Sequence, residues 1–140
     1  DTPFAVTITP TSSSNKILLM GHVFGEFTND DLYFMWRIKR AISGGSTTNI
    51  QAPAAGSRAV GISVPPSGFY NSNSDSTPTA MVWSGLLDSP STTSAITYTF
   101  QVNATQNSNS TFYYNRTVNS GDAIDYERAL SWITAMEVSA

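Results

Sequence analysis

From Ile96 to Asn103 the side chains alternate without a break. Ile96, Tyr98, Phe100 and Val102 are apolar or aromatic, and Thr97, Thr99, Gln101 and Asn103 are polar. A period of two gives a strand one dry face and one wet face, so the chain must supply a second apolar surface to cover the dry one. Just before this strand, Asp88-Ser89-Pro90 stops its predecessor, because proline brings no ladder donor. Nothing in residues 86–102 is catalytic in character, which tilts the reading toward a scaffold or binding module.

The totals narrow the choice. A chain of 140 residues is one domain, spanning 1–140, with enough length to bury a real core. It has no cysteine, which excludes disulfides, thiolate catalysis and cysteine-based zinc sites. Core packing must hold the fold, helped by oligomerisation. Charged residues make up 12%, about half the usual share, while Ser and Thr fill roughly a quarter of the chain. A net charge of −3 gives no electrostatic footprint for nucleic acid. The basic run Arg37-Ile38-Lys39-Arg40 reads as solvated charge that deters edge pairing. No apolar run approaches the roughly 20 residues of a membrane span. The chain starts at Asp1 with neither signal peptide nor initiator methionine, so a processed product or part of something longer is expected.

In chain order, residues 4–10 read as a strand ending at Pro10, followed by a turn over 11–15. Residues 16–27 are apolar in both parities: Ile17, Leu19 and Val23 in one, Leu18, Met20 and Phe24 in the other. That marks a central strand covered by a second sheet or by another subunit. Gly21 and Gly25 signal bulges or close backbone approach. Asn29-Asp30-Asp31 turns the chain into a half-buried strand over 32–39. Residues 41–57 read as loop, and 58–64 as a short strand closed by Pro65-Pro66. A second long loop covers 67–75. Residues 79–87 form a strand, with Met81 and Trp83 in one parity and Val82 and Leu86 in the other. After 96–103, residues 111–117 read as its hairpin partner and 119–122 as a turn. Residues 129–138 are a last strand apolar in both parities, and only 125–130 suit a helical turn. Eight or nine strands at this spacing predict an all-β, antiparallel, jelly-roll-like β-sandwich. No repeat points to a solenoid or propeller.

Candidate chemistry is sparse. His22 is the only histidine, and no nucleophile elbow exists for it to serve, so it reads as a hydrogen-bonded strand histidine. Glu26, Asp30, Asp31, Asp75, Asp88 and Asp125 are the carboxylates from which a glycosidase pair would be drawn, but most read as turn caps. Asp122, Asp125 and Glu127 are close in sequence without the oxygen spacing of a calcium loop. Sequons at Asn103, Asn109 and Asn115 are expected by chance in so Asn- and Ser-rich a chain. No metal or cofactor is expected. Long loops in compact domains are often functional. Phe69 and Tyr70, beside Asn71, Asn73 and Asp75, are therefore the candidate ligand loop: an aromatic stacks on a sugar face while neighbouring amides and hydroxyls bond its OH groups. The plainer alternative is an aromatic that anchors the loop on the sandwich.

Several phrases, in order along nearly the whole chain, carry a family resemblance. They are Ile8-Thr9-Pro10-Thr11-Ser12-Ser13-Ser14-Asn15-Lys16-Ile17-Leu18; Ala55-Gly56-Ser57-Arg58; and Leu87-Asp88-Ser89-Pro90 with Thr92-Thr93-Ser94 and Thr97-Tyr98. Then follow Tyr114-Asn115-Arg116-Thr117, Tyr126-Glu127-Arg128 and Ile133-Thr134-Ala135-Met136-Glu137-Val138. The ordered set resembles a β domain that recurs in tail-fibre and other structural proteins of marine and freshwater tailed phages, cyanophages among them. Thr99 stands where that domain usually has lysine, Ala129 where it usually has glycine, and the loops over 41–52 and 69–75 are this chain's own. The resemblance implies a virion exterior location, partners among other virion proteins, and the C-terminal part of a longer fibre protein. It supplies no catalytic residue.

A fainter resemblance links the strand order and the final strand to the trimeric jelly rolls of the C1q and tumour-necrosis-factor type. Strands apolar on both faces suit a threefold interface, one face for the core and one for the axis. A homotrimer is therefore expected, with Leu18, Met20, Phe24, Trp132 and Ile133 as candidate interface residues. The leading expectation is a non-enzymatic phage tail-fibre or tip domain that meets a host-surface glycan, with neither nucleic acid nor membrane insertion involved. The alternatives are a capsid-decorating or cement protein of the same fold, and a secreted carbohydrate-binding module or glycan hydrolase domain.

Overall fold

A twelve-residue strand apolar on both sides organises the fold, because it can be satisfied only in the middle of a sheet with both faces covered. The computed structural model describes residues 4–28, 34–64, 78–104 and 110–140. Its strands are β1 (Ala5–Ile8), β2 (Lys16–Phe27), β3 (Phe34–Ile42), β4 (Thr47–Ile50), β5 (Thr79–Asp88), β6 (Ile96–Ala104), β7 (Phe112–Tyr114) and β8 (Trp132–Val138). They form an all-β sandwich of two antiparallel sheets, and there is no helix among the described residues. The first sheet runs β1-β6-β3-β4. In the second, β2 pairs with β5 along one edge, and its other edge is shared by β8 and then β7.

The apolar parities named above meet between the sheets. Ile17, Leu19 and Val23 of β2 and Met81 and Trp83 of β5 face Trp36 and Ile38 of β3 and Ile96, Tyr98 and Phe100 of β6. The centre is aromatic: Trp83 lies 4.9 Å from Trp36 and 5.5 Å from Phe100, ring centre to ring centre. Gly21 makes room for it, since a Cβ there would sit 2.2 Å from the Trp83 ring. Close approach, rather than a bulge, is thus what this glycine serves. The bulge lies opposite, where Leu19 pairs with Leu86 but Met20 pairs with Ser84, leaving Gly85 as the extra residue at φ 124°. It reverses which parity of β5 points inward. Met81 and Trp83 face the core before it, and Leu86 and Asp88 after it.

Four expectations need correction. Residues 41–57 are not all loop: a turn at Gly44 (φ 69°) carries the chain into β4, which pairs with β3. Residues 58–64 do not form a strand. Only one bridge, Trp36 to Ser63, joins the segment to the sheet. Within 111–117 only Phe112–Tyr114 is strand, and it pairs with β2 in the other sheet rather than with β6. The last strand begins at Trp132, and the 125–130 helical turn is not formed.

Candidate functional site

The sheet alternation places three arrangements of note: a polar pin inside the sandwich and two contrasting outer faces. Inside, Arg40 of β3 donates from Nη1 to Asp88 Oδ1 at 2.7 Å, and the Tyr98 hydroxyl of β6 donates to Asp88 Oδ2 at 2.8 Å. Arg40 and Asp88 thus form a salt bridge with both side chains largely buried. Burial first, and then the hydrogen bond to Asp88, holds the Tyr98 phenol far above its usual range. Two readings are corrected here. Arg40 is not a solvated edge charge, because β3 is flanked by β6 and β4 and its even positions face inward. Asp88 is no mere turn residue, because the Gly85 bulge swings it into the interior.

The other titratable candidates serve as struts. His22 Nδ1 lies 2.9 Å from the Leu130 carbonyl, to which it donates, so the ring ties β2 to the chain leading into β8. Glu26 is buried and accepts from Val118 N–H at 2.6 Å. The segment that Glu26 holds is further fixed by Asn115, which is in the left-handed region (φ 64°) and accepts from Ser131 N–H at 2.6 Å. Arg116 lies 3.8 Å over the Tyr113 ring and donates to the Thr117 and Val118 carbonyls. Glu137 Oε1 accepts from Asn15 Nδ2 at 2.8 Å, from Thr11 N–H at 2.6 Å and from Thr11 Oγ1 at 2.9 Å. These donors, Asn15 foremost, hold its carboxyl below the usual carboxylate range. Asp122, Asp125 and Glu127 do not gather into a metal-holding group, and there is none among the described residues. Asp30, Asp31 and Asp75 lie outside the described residues, as does the candidate ligand loop of Phe69, Tyr70, Asn71, Asn73 and Asp75.

On the outside of the second sheet, three strands align apolar side chains. Leu18 stands between Leu87 and Met136, Met20 between Ser84 and Thr134, and His22 between Val82 and Trp132. Val82 is 69% exposed, Leu87 50%, Met136 49%, Trp132 48% and Val138 37%. Leu18, Met20, Phe24 and Trp132 all belong to this outer face. Ile133 does not: it neighbours Trp132 in a strand, so it points the opposite way and packs against the core. Val82, Leu87, Met136 and Val138 were not among the candidate interface residues, although Met136 and Val138 share the parity of Trp132. For Val82 and Leu87 the reason is the bulge, which puts them on one face despite their opposite parity.

The outside of the first sheet is the reverse in character. Its rows are Thr7–Thr97–Ala41–Thr47 and Ala5–Thr99–Lys39–Asn49, then Gln101 beside Arg37 and Asn103 beside Met35. Thr7 and Thr97 share a hydrogen bond of 2.9 Å between their hydroxyls. Arg37 donates from Nε to Gln101 Oε1 and from Nη1 to Gln51 Oε1, each at 3.0 Å.

The chain matches no protein-family model, no curated protein and no solved structure. What the residues define is therefore a class by architecture: an all-β sandwich with one apolar and one polar outer face.

Proposed function

We propose that this chain is a non-enzymatic structural domain on the exterior of a phage virion, in a tail fibre or its tip. In this reading it assembles as a homotrimer through the outer face of the β5-β2-β8 sheet and meets a host-surface glycan. The observation that carries the assembly is the apolar outer face itself. Soluble monomers rarely expose contiguous apolar surface larger than a few hundred Å². Here Val82, Leu87, Trp132 and Met136 are about half exposed or more, around a strip of Leu18 and Met20. Burying such surface stabilises association by about 25 cal/mol per Å² before the costs of ordering. The virion setting is supported by the collinear phrases that resemble tail-fibre domains. The titratable groups give the non-enzymatic reading its support, since His22, Glu26, Asp88 and Glu137 are each engaged in holding elements together.

The test of the setting is electron microscopy of phage particles carrying this chain, decorated with gold-labelled Fab fragments raised against it. Label along or at the end of the tail fibres is expected. Label spread over the capsid would move the domain to a decorating role, and unlabelled particles would overturn the virion reading.

A further inference from the structure

Two arginines of β3 differ in one respect. Arg40 is neutralised inside the sandwich by Asp88, whereas Arg37, outside, is held at two points by the neutral carbonyl oxygens of Gln101 and Gln51. An arginine fixed by amides keeps its full charge and has its direction set in advance, and the unused edge of the guanidinium still offers N–H donors. Lys39 lies two residues along the same strand, about 7 Å away on the same face. Its row neighbours are Thr99 and Asn49, neither of them charged. Among the described residues of this outer face there is no carboxylate, although the chain as a whole carries a net charge of −3. Around the two cations stand the hydroxyls of Thr7, Thr47 and Thr97 and the side-chain amides of Asn49 and Gln101, each able both to donate and to accept, while Thr99 among them is buried.

We infer that this face is a binding surface for an anionic polysaccharide, whose carboxylate or sulfate meets Arg37 and Lys39 while its hydroxyls lie on the threonine and amide rows. Charge complementarity selects the sign of the ligand, and the polar array selects a hydroxylated one. A nucleic acid fits less well: two cations neutralise too few phosphates, and no aromatic side chain stands among these rows to stack on bases. The inference rests on the host-glycan part of the function proposed above, but assigns it to a sheet face rather than to a loop.

Affinity electrophoresis of the full chain, in gels containing polygalacturonate, dextran sulfate or neutral dextran, tests it. Retardation by polygalacturonate or dextran sulfate, and none by dextran, is expected. Which of the two retards more tells carboxylate from sulfate. Arg37→Gln and Lys39→Gln should each weaken the apparent Kd about tenfold, the size of a lost charge-assisted contact. Arg58→Gln, a change of an exposed cation outside the strands of this sheet, should leave it unchanged. Lys39 is half-buried on the outside of the sheet, away from the core cluster, so its variant keeps the test decisive if Arg37→Gln folds poorly. The inference is overturned if neither anionic polymer retards the chain, or if neutral dextran or single-stranded DNA retards it equally. Equal weakening by Arg58→Gln would overturn it too. Oligomeric mass on the same samples separates the two proposals: lost polysaccharide binding in an intact trimer refutes this inference alone, and binding by a monomer refutes the assembly alone.

Discussion

Asp88, Arg40 and Tyr98 show how one residue's environment decides its role. Removing one partner of a buried charge pair leaves the other uncompensated, which costs more than the pair itself contributes. Asp88→Asn is therefore expected to destabilise by about 3 kcal/mol in urea melts, and Tyr98→Phe by about 1 kcal/mol. The double variant should cost clearly less than the sum, because both changes strip the same carboxylate. Folding favours the protonated Tyr98 phenol. That contribution is fully present below the ordinary tyrosine range and is lost progressively as pH rises from there through the raised folded value, so alkali should unfold the chain before this phenol ionises. Ultraviolet absorbance titration should show one tyrosine appearing only with unfolding. Glu137 has the opposite sign. Its folded carboxyl is held low by Asn15 and Thr11, so its contribution is present above the ordinary carboxylate range and fades as pH falls through the lowered value. Glu137→Gln should lower stability at neutral pH, leave it little changed at low pH, and so flatten the acid side of a stability–pH curve. A curve as steep as the wild type's would contradict the role given to Glu137.

Strands carry the next level of the account. Gly85 sits at φ 124°, where a side chain is strained, and Gly21 faces the Trp83 ring. Gly21→Ala should cost about 1–3 kcal/mol through overpacking. Gly85→Val should do further harm by favouring the unbulged register, which turns Asp88 out of the interior. Loss of near-ultraviolet circular dichroism from the Trp36–Trp83–Phe100 stack reports both. These elements also show what a reader of the sequence sees and misses. β2 was legible to the residue, because twelve positions apolar in both parities admit one arrangement. β4 was not, because Thr-Thr-Asn-Ile is short and its single large apolar residue lies at the end. β7 was given the wrong partner because neighbouring strands usually pair, whereas the chain here crosses to the other sheet. Leu18, Met20, Phe24 and Trp132 were legible as a second face from their parity. Ile133 was misplaced because its strand is apolar in both parities, and only pairing with β2 tells which side faces the core. The phrases on which the proposed tail-fibre resemblance rests coincide with the pins: Asp88 with Tyr98, Asn115 to Thr117 over Glu26, and Glu137 with Thr11 and Asn15. They specify how the sandwich is closed, and so carry little about what it binds.

For the molecule as a whole, the contrast between outer faces is the main result. A threonine- and amide-rich sheet suits exposure, and an apolar sheet suits cover by an identical copy, since a closed ring of copies leaves none of it wet. Charges placed at the centre of that cover should break it: Val82→Lys and Met136→Lys are each expected to yield a folded monomer, with circular dichroism unchanged. Trp132→Ala should weaken association by about 2 kcal/mol or more, as aromatic anchors at interfaces do. Multi-angle light scattering of the purified chain at micromolar concentration tests the claim most directly. A particle three times the 15.1 kDa chain mass, reduced to one chain by Val82→Lys, is the result the proposed assembly predicts. A wild-type chain that scatters as a monomer at that concentration would contradict it.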